Sequence, residues 1–212
     1  MRALLERTTP KTFFWMAFGV IVTGLGNALL RLSTMGTDPY GCMNLGISNH
    51  VPLTYGTVQA LVGLLFFIPV LICYRHSIGF GTLANMLGLA YISDFFIFVS
   101  QNMGYTPDNL SENLPARIVL MIVGIVFMAF GLALYMEADL GVASFDSLAP
   151  MIEMWTKGKI KFSIARIIGD VSCMVIGFIL GAIVGPATII IAFGLGPMVA
   201  FFRGLIQKND NK

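Results

Sequence analysis

The sequence predicts an all-α fold: a polytopic transmembrane helical bundle of six spans and two short re-entrant half-helices, built as a 3+3 inverted repeat. Three observations carry this. The composition suits lipid, with 57% hydrophobic and 11% charged residues, against about 25% charged in ordinary soluble domains, and mean hydropathy is +0.83. Six apolar runs are long enough to cross a hydrocarbon layer roughly 30 Å thick. A unit of roughly 80 residues occurs twice in the chain.

The repeat is clearest where Gly131 to Asp146 echoes Gly26 to Gly41 at an offset of about 105 residues. Gly26, Ala28 and Leu29 match Gly131, Ala133 and Leu134; Gly36 matches Gly141; Tyr40 matches Phe145. Farther on, Tyr55, Gly56 and Val58 meet Phe162, Ser163 and Ala165, and Gly79, Thr82 and Gly88 meet Gly185, Thr188 and Gly194. The units are residues 1–100 and 117–212, joined by a polar external linker, residues 101–116.

The first span is the run Phe13 to Leu32, preceded by Arg2, Arg7 and Lys11. At about 20 residues it is too long for a signal-peptide core, and Arg31 at its end is expected to snorkel toward lipid headgroups, with a substrate contact as the alternative. Asp38 then reads as an N-cap with Pro39 at the first helical position, so a helix starts there. About a dozen residues make only about 18 Å, and Asn44, Ser48, Asn49 and His50 are too polar to face lipid. This segment reads as a half-helix tolerated inside the bundle; an amphipathic helix in the interface is the alternative. The second copy runs from Gly141 to near Trp155, with Ser144 as its expected cap.

Spans follow at about Tyr55 to Tyr74 and Thr82 to Ser100. The linker carries Pro107, Asp108, Asn109, Ser111, Glu112, Asn113 and Pro115. The second unit supplies spans at about Ala116 to Met136, Ile160 to Gly181 and Ala187 to Leu205. Three spans per unit turn the second unit upside down relative to the first. With both termini cytoplasmic, Arg2, Arg7, Lys11, Arg75, Lys157, Lys159, Lys161, Arg203, Lys208 and Lys212 lie inside, and Arg31 and Arg117 outside. Eight full spans would give the same tally with Arg75 and Arg117 exchanged; the shortness of the two segments favours six.

The pattern Gly36, Pro39, Tyr40, the start Tyr55-Gly56-Thr57-Val58, and Gly79-Phe80-Gly81-Thr82 with Asn85 resemble the YczE/YyaS/YitT-type bacterial membrane proteins over nearly the whole chain. The second unit departs from that pattern, with Ser144 where Pro is usual and Ser163-Ile164-Ala165 in place of Gly-Thr-Val. The resemblance implies a small multi-span protein of the cytoplasmic membrane, of a kind described as permeases or left uncharacterised, with no agreed substrate.

Chemistry is sought among polar residues inside apolar spans, because such groups are costly in lipid and tend to face a cavity. Arg166 and Asp170 lie four apart on one helix, near its middle, as a neutralising pair or a coupling site for a proton or ion. Their counterparts Gln59 and Gly63 are uncharged, so the pair breaks the symmetry. If both half-helix starts point at one midplane pocket, Asp38, Tyr40, Asn44, Gln59, Ser144 and Asp146 would line a substrate site. Asp146 has capping of the second half-helix as its plainer role. Asn27, Asn85 and Asp94 read first as interhelical hydrogen-bonding residues, and His50 and His76 as surface groups.

A net charge of +2 with no basic patch gives no reason to expect nucleic acid. Cys42, Cys73 and Cys173 have no metal-ligand spacing and read as structural thiols. Gly-x-Ser-x-Gly, His-Glu-x-x-His and Cys-x-x-Cys do not occur. The expectation is therefore a non-enzyme with no cofactor and no metal: a transporter of a small polar solute, working by alternating access. A membrane-embedded binding subunit of a multi-component importer and a non-transporting accessory protein are the alternatives. Expected partners are the bilayer and the solute, with a homodimer or a membrane partner protein compatible with the small residues on the helix faces.

Overall fold

Eight helices follow one another in the computed structural model, which describes residues 9–106 and 113–210. Helix α1 (Pro10–Ser33) starts at Thr9, whose hydroxyl accepts from the Thr12 amide at 3.2 Å, and stops at Thr34 in the left-handed region. Helix α2 (Pro39–Ser48) is the short capped segment: Asp38 accepts from the Gly41 amide at 2.8 Å and Pro39 opens the first turn. Helix α3 spans Tyr55–Cys73 behind a Thr54 cap, and α4 spans Phe80–Asn102 with a wider π turn at Ala84–Gly88. The second half repeats the order with α5 (Leu114–Glu137), α6 (Leu148–Trp155), α7 (Phe162–Ile179) and α8 (Pro186–Asp210). Expected and observed bounds of the long helices agree within a few residues. Of the linker, Pro107, Asp108, Asn109, Ser111 and Glu112 lie outside the described residues, as do Arg2, Arg7 and Lys212.

Five helices, α1, α3, α4, α5 and α8, are long and apolar enough to cross a bilayer. Helix α7 is 18 residues long, about 27 Å of rise, and carries Arg166 and Asp170. The large apolar side chains point outward: Phe14, Leu65, Phe98, Val119, Phe178 and Ile179 are all exposed. Thr23, Asn27, Gln59, Thr82, Ser93 and Asp170 are buried. With apolar groups outside and polar groups within, this is the distribution that lipid imposes.

Helices α1 and α5 run antiparallel along a glycine seam. Gly19 faces Gly131 and Tyr135, while Gly26 faces Gly124 and Met128. A Cβ on Gly19 would stand 2.7 Å from the Gly131 carbonyl oxygen, and one on Gly131 2.6 Å from the Thr23 amide nitrogen, so backbone lies directly on backbone. Small residues permit this approach, and in lipid such packing replaces the missing hydrophobic drive.

The turns that leave these two helices are exchanged between halves. After α1, Gly36 (φ 99°) packs on Gly185 and Thr188, and the Met35 carbonyl accepts from the Ala187 amide at 3.0 Å. After α5, Gly141 (φ 109°) packs on Gly79 and Thr82, and the Leu140 carbonyl accepts from the Gly81 amide at 2.8 Å. Both glycines hold a left-handed backbone that a Cβ would strain. An ion pair then ties first to last helix in each half: Arg31 to Asp94 at 2.7 Å, and Arg203 to Glu137 at 3.1 Å.

Two expectations are corrected. Arg31 does not snorkel: it binds Asp94 and the Ser93 hydroxyl and lies 4.3 Å from the Tyr55 ring centroid. A carboxylate within reach satisfies the guanidinium better than a stretch to the headgroups would. The second short helix starts at Leu148, and its N-cap position is Ser147, not Ser144. Residues 144–147 form turns instead.

The seam yields a stability test. Gly131→Ala is expected to cost about 1–3 kcal/mol, the range for overpacked interiors, whereas Gly204→Ala, with open space around its Cβ, should be neutral or stabilising. Thermal unfolding in detergent measures both, and equal melting points would contradict the seam's role.

Candidate functional site

A cavity of about 1140 Å³ lies between the two halves. Its lining includes Arg75, Asp139 and Arg203 at one end of the bundle and reaches no farther toward the other end than Asn27, Asp38 and Gln59. The starts of the two short segments meet at its inner end. Tyr40 stacks on Phe145 with ring centroids 4.7 Å apart and planes 18° from parallel, and Phe66 packs against both. Tyr40 and Phe145 are the matching aromatics of the internal repeat.

Seven of the eight residues expected at the site line this cavity: Asp38, Tyr40, Gln59, Ser144, Asp146, Arg166 and Asp170. Asn44 does not. It is fully buried in α2, and neither its amide nitrogen nor its oxygen has a hydrogen-bond partner among the described residues. It lies one turn beyond Tyr40 on the same face of α2, past Pro39 and Tyr40, the residues of that helix that line the cavity. The Tyr40 hydroxyl lies close to that amide, yet its hydrogen bond, at 3.5 Å, goes to the Gln59 carbonyl.

The second half concentrates charge. Arg166 donates from Nη1 to Asp146 Oδ1 and from Nε to Asp170 Oδ2, the latter at 3.0 Å, and its guanidinium lies 5.4 Å from the Phe145 ring centroid. Asp146 is therefore not a helix cap. It stands ahead of α6 in the turn, drawn to Arg166, because a charge-assisted bond to guanidinium outweighs a bond to a neutral amide. Ser144 donates to the Gly63 carbonyl at 3.0 Å and so ties the turn to α3.

The first half is built differently. Asp38 accepts from the Gly41 amide and from Asn27 Nδ2 at 3.2 Å, and the same Asn27 nitrogen lies 3.4 Å from the Tyr55 hydroxyl. Asn27 Oδ1 accepts from Ser93 Oγ at 2.9 Å, and Ser93 accepts from Arg31 at 3.0 Å. Asp94 closes the chain, holding Arg31 with one oxygen and the Gly56 amide with the other at 2.7 Å. Asp38 forms no ion pair with any described residue. Gln59 is 4% exposed, and its Oε1 has no hydrogen-bond partner among the described residues.

Asn27 and Asn85 also line the cavity. The sequence gives both an interhelical role first and a ligand contact second; Asn27 combines the interhelical role with a place on the cavity wall, and Asn85 sits in the π turn of α4, a feature frequent at functional sites. Asp94 keeps the interhelical role expected of it. His50 is exposed, as expected.

Comparison with known proteins comes to rest on uncharacterised relatives. Residues 10–204 match the model of a family of unknown function, DUF6198. An uncharacterized protein of Haemophilus influenzae is 26% identical over 93% of this chain and 86% of its own length. The uncharacterized protein YyaS of Bacillus subtilis is 24% identical over 93% of this chain and 94% of its own. The uncharacterized membrane protein YczE of the same bacterium is 26% identical over 88% of this chain and 79% of its own. No solved structure matches.

The Arg166 triad can be probed through stability. Arg166→Gln leaves two neighbouring carboxylates without a cation and should cost about 2 kcal/mol, below the roughly 3–5 kcal/mol of a fully buried pair, since the Arg166 side chain keeps 31% exposure. Adding Asp170→Asn should recover part of that loss in a thiol-dye melting assay. A double variant less stable than the single one would contradict charge balance as the triad's contribution.

Proposed function

The chain belongs to the DUF6198 family of unknown function and is an integral membrane protein, and from that premise we infer that it carries a small polar solute across the membrane by alternating access. In this reading α1, α3, α4, α5, α7 and α8 span the bilayer and α2 and α6 are half-helices. The two halves are inverted copies, and both termini face the cytoplasm across the inner membrane.

One observation carries the reading. The equivalent aromatics of the repeat, Tyr40 and Phe145, meet face to face at the starts of the two short segments, at the inner end of a cavity reaching one end of the bundle. A contact between a residue and its own counterpart is what a two-fold axis relating the units would produce, and it supports that reading. The antiparallel course of α1 and α5 and the exchanged turns at Gly36 and Gly141 support an axis lying in the membrane plane, as inverted repeats require. Rocking one unit on the other about Tyr40 and Phe145 would close the Arg75 end and open the opposite one. An accessory protein would need no such polar cavity, so that alternative is disfavoured. An importer's binding subunit would share the cavity and differ in needing a partner to release its solute.

Two experiments test this. In a variant lacking Cys42, Cys73 and Cys173, Arg75→Cys should label from the cytoplasmic side and Asn102→Cys from the outside; the opposite pair of results would mean eight spans and parallel units. In proteoliposomes, a solute found by screening should be taken up by the purified protein alone, and Asp146→Asn or Asp170→Asn should lower uptake about tenfold or more, equivalent to about 1.4 kcal/mol. Wild-type rates in both variants would remove these residues from the mechanism.

A further inference from the structure

The two copies of the unit differ where their last two long helices meet. In the first, α3 lies directly on α4: a Cβ on Gly56 would stand 2.8 Å from the Tyr91 ring and 2.9 Å from an Asp94 oxygen, and one on Gly63 would stand 2.7 Å from Met86 Cγ. At the repeat offset of about 106 residues, Met86, Tyr91 and Asp94 correspond to Ala192, Pro197 and Ala200 on α8. The side chains that fill the first junction are thus small ones in the second. There a slot separates α7 from α8, with Phe162 and Arg166 lining it from α7 and Ala192, Pro197 and Ala200 from α8.

The slot opens sideways into lipid. Its α8 wall passes from buried Ile191 and Val199 to exposed Phe193, Gly196 and Ala200, so the cavity reaches round the flank of that helix. Phe193 is 69% exposed, and a Cβ on Gly196 would meet nothing within 4 Å. The stretch from Phe193 to Ala200 lies about 10 Å or more from either end of α8, inside the hydrocarbon layer. From Ile191 to Arg203 the slot runs about 18 Å, close to the roughly 15 Å that the chains of one leaflet fill. Away from Arg166 and Asp170 its walls are apolar, and apolar walls favour hydrocarbon over water.

A second, independent feature marks the end where that leaflet's headgroups lie. Lys157, Lys159 and Lys161 project from the turn that leads into α7, exposed and without an ion pair to any described residue. Exposed Trp155 precedes them, as at membrane interfaces, and Phe162, next after Lys161, lines the slot. The acidic groups at this end are Asp139, Glu153 and Glu137, the last bonded to Arg203 and Gln207. With Arg75 and Arg203 beside the lysines, basic groups outnumber them.

We propose that the slot between α7 and α8 seats one acidic phospholipid of the surrounding membrane, with an acyl chain along Phe193, Pro197 and Ala200 and its phosphate beside Lys159 and Lys161. Clustered lysines next to a span attract anionic headgroups, and the chain fills a junction that Met86, Tyr91 and Asp94 fill in the other copy. This goes beyond the carrier reading and stands whether or not the cavity carries a solute.

The test is native mass spectrometry of the full-length protein, purified in detergent and titrated with dioleoylphosphatidylglycerol or dioleoylphosphatidylcholine. Wild type should retain one phosphatidylglycerol with about tenfold higher affinity than phosphatidylcholine. Lys159→Gln with Lys161→Gln, both on the surface, should erase that preference and keep weak retention of both lipids. Ala200→Trp puts an indole into the slot and should abolish retention of either lipid, whereas Leu65→Trp on the lipid-facing side of α3 should leave it unchanged. Thermal unfolding separates blocking from misfolding: phosphatidylglycerol should raise the melting point of wild type and Leu65→Trp, and leave that of Ala200→Trp where it is. Equal affinity for the two lipids in wild type, an unchanged preference in the lysine double variant, or retention unaffected by Ala200→Trp would each overturn the proposal. So would soluble glycerol phosphate raising the melting point as much as the lipid, which would mean an anion site without a chain seat. Disulfide formation between Phe162→Cys and Ala200→Cys in lipid-saturated protein lacking its natural cysteines would overturn it too, making α7 itself the occupant.

Discussion

The polar interior depends on the contact of α1 with α5. Because Gly19, Gly26, Gly124 and Gly131 bring two backbones together without side chains between them, the helices pack like a single rigid post, and the turns leaving its two ends are fixed relative to each other. Each turn then has one place to go. The segment after α1 seats Gly36 on the start of α8, and the segment after α5 seats Gly141 on the start of α4. The short segments inherit their positions from these seats, which is how Tyr40 and Phe145 come to stack. In water such a post could be held by burying leucines; in lipid, side chains gain nothing by leaving the tails, and close backbone approach has to serve instead.

On this nearly symmetric frame the two halves carry different chemistry. Arg166 and Asp170 stand where Gln59 and Gly63 stand in the other copy. The second half therefore neutralises its own carboxylates, in a triad with Asp146. The first half leaves Asp38 with amide donors and Gln59 Oε1 buried without a partner among the described residues. Two halves with identical charge sets would present the same electrostatic environment on both sides of the cavity. The asymmetry sets a guanidinium shared by two carboxylates on one side of the cavity and Asp38, with neutral donors, on the other.

How much of this could be read from the chain follows from what each feature depends on. Helix bounds, the Asp38–Pro39 start of α2 and the repeat rest on local spacing and capping, and these the sequence carries openly. Ser144 and Asp146 misled because the same local rules apply to them in isolation. Ser and Asp are good caps, but Ser144 finds the Gly63 carbonyl and Asp146 finds Arg166, both partners distant in the chain. Arg31 misled for the same reason, since Asp94 lies 63 positions away. Asn44 was placed at the site on polarity, whereas it lies a turn farther along α2 than Pro39 and Tyr40, the residues of that helix that line the cavity. Long-range partners decide these cases, and a single sequence has no term for them.

Asp38 joins the two halves of the physical argument. On one side it faces the cavity; on the other it accepts from Asn27, which is linked through Ser93 to Arg31 and Asp94. That chain runs across α1 and α4, and Asp94 fastens it to the first turn of α3 through the Gly56 amide. Hydrogen bonds of this kind contribute about 1 kcal/mol each, more where a charge takes part. A path from the cavity to that end of the bundle requires several of them to part together. Any group that paired with Asp38 would compete with Asn27 for its carboxylate oxygens, so the cavity and the network behind it share one residue. Among the carboxylates lining the cavity, Asp38 is the one that hydrogen-bonds into that network.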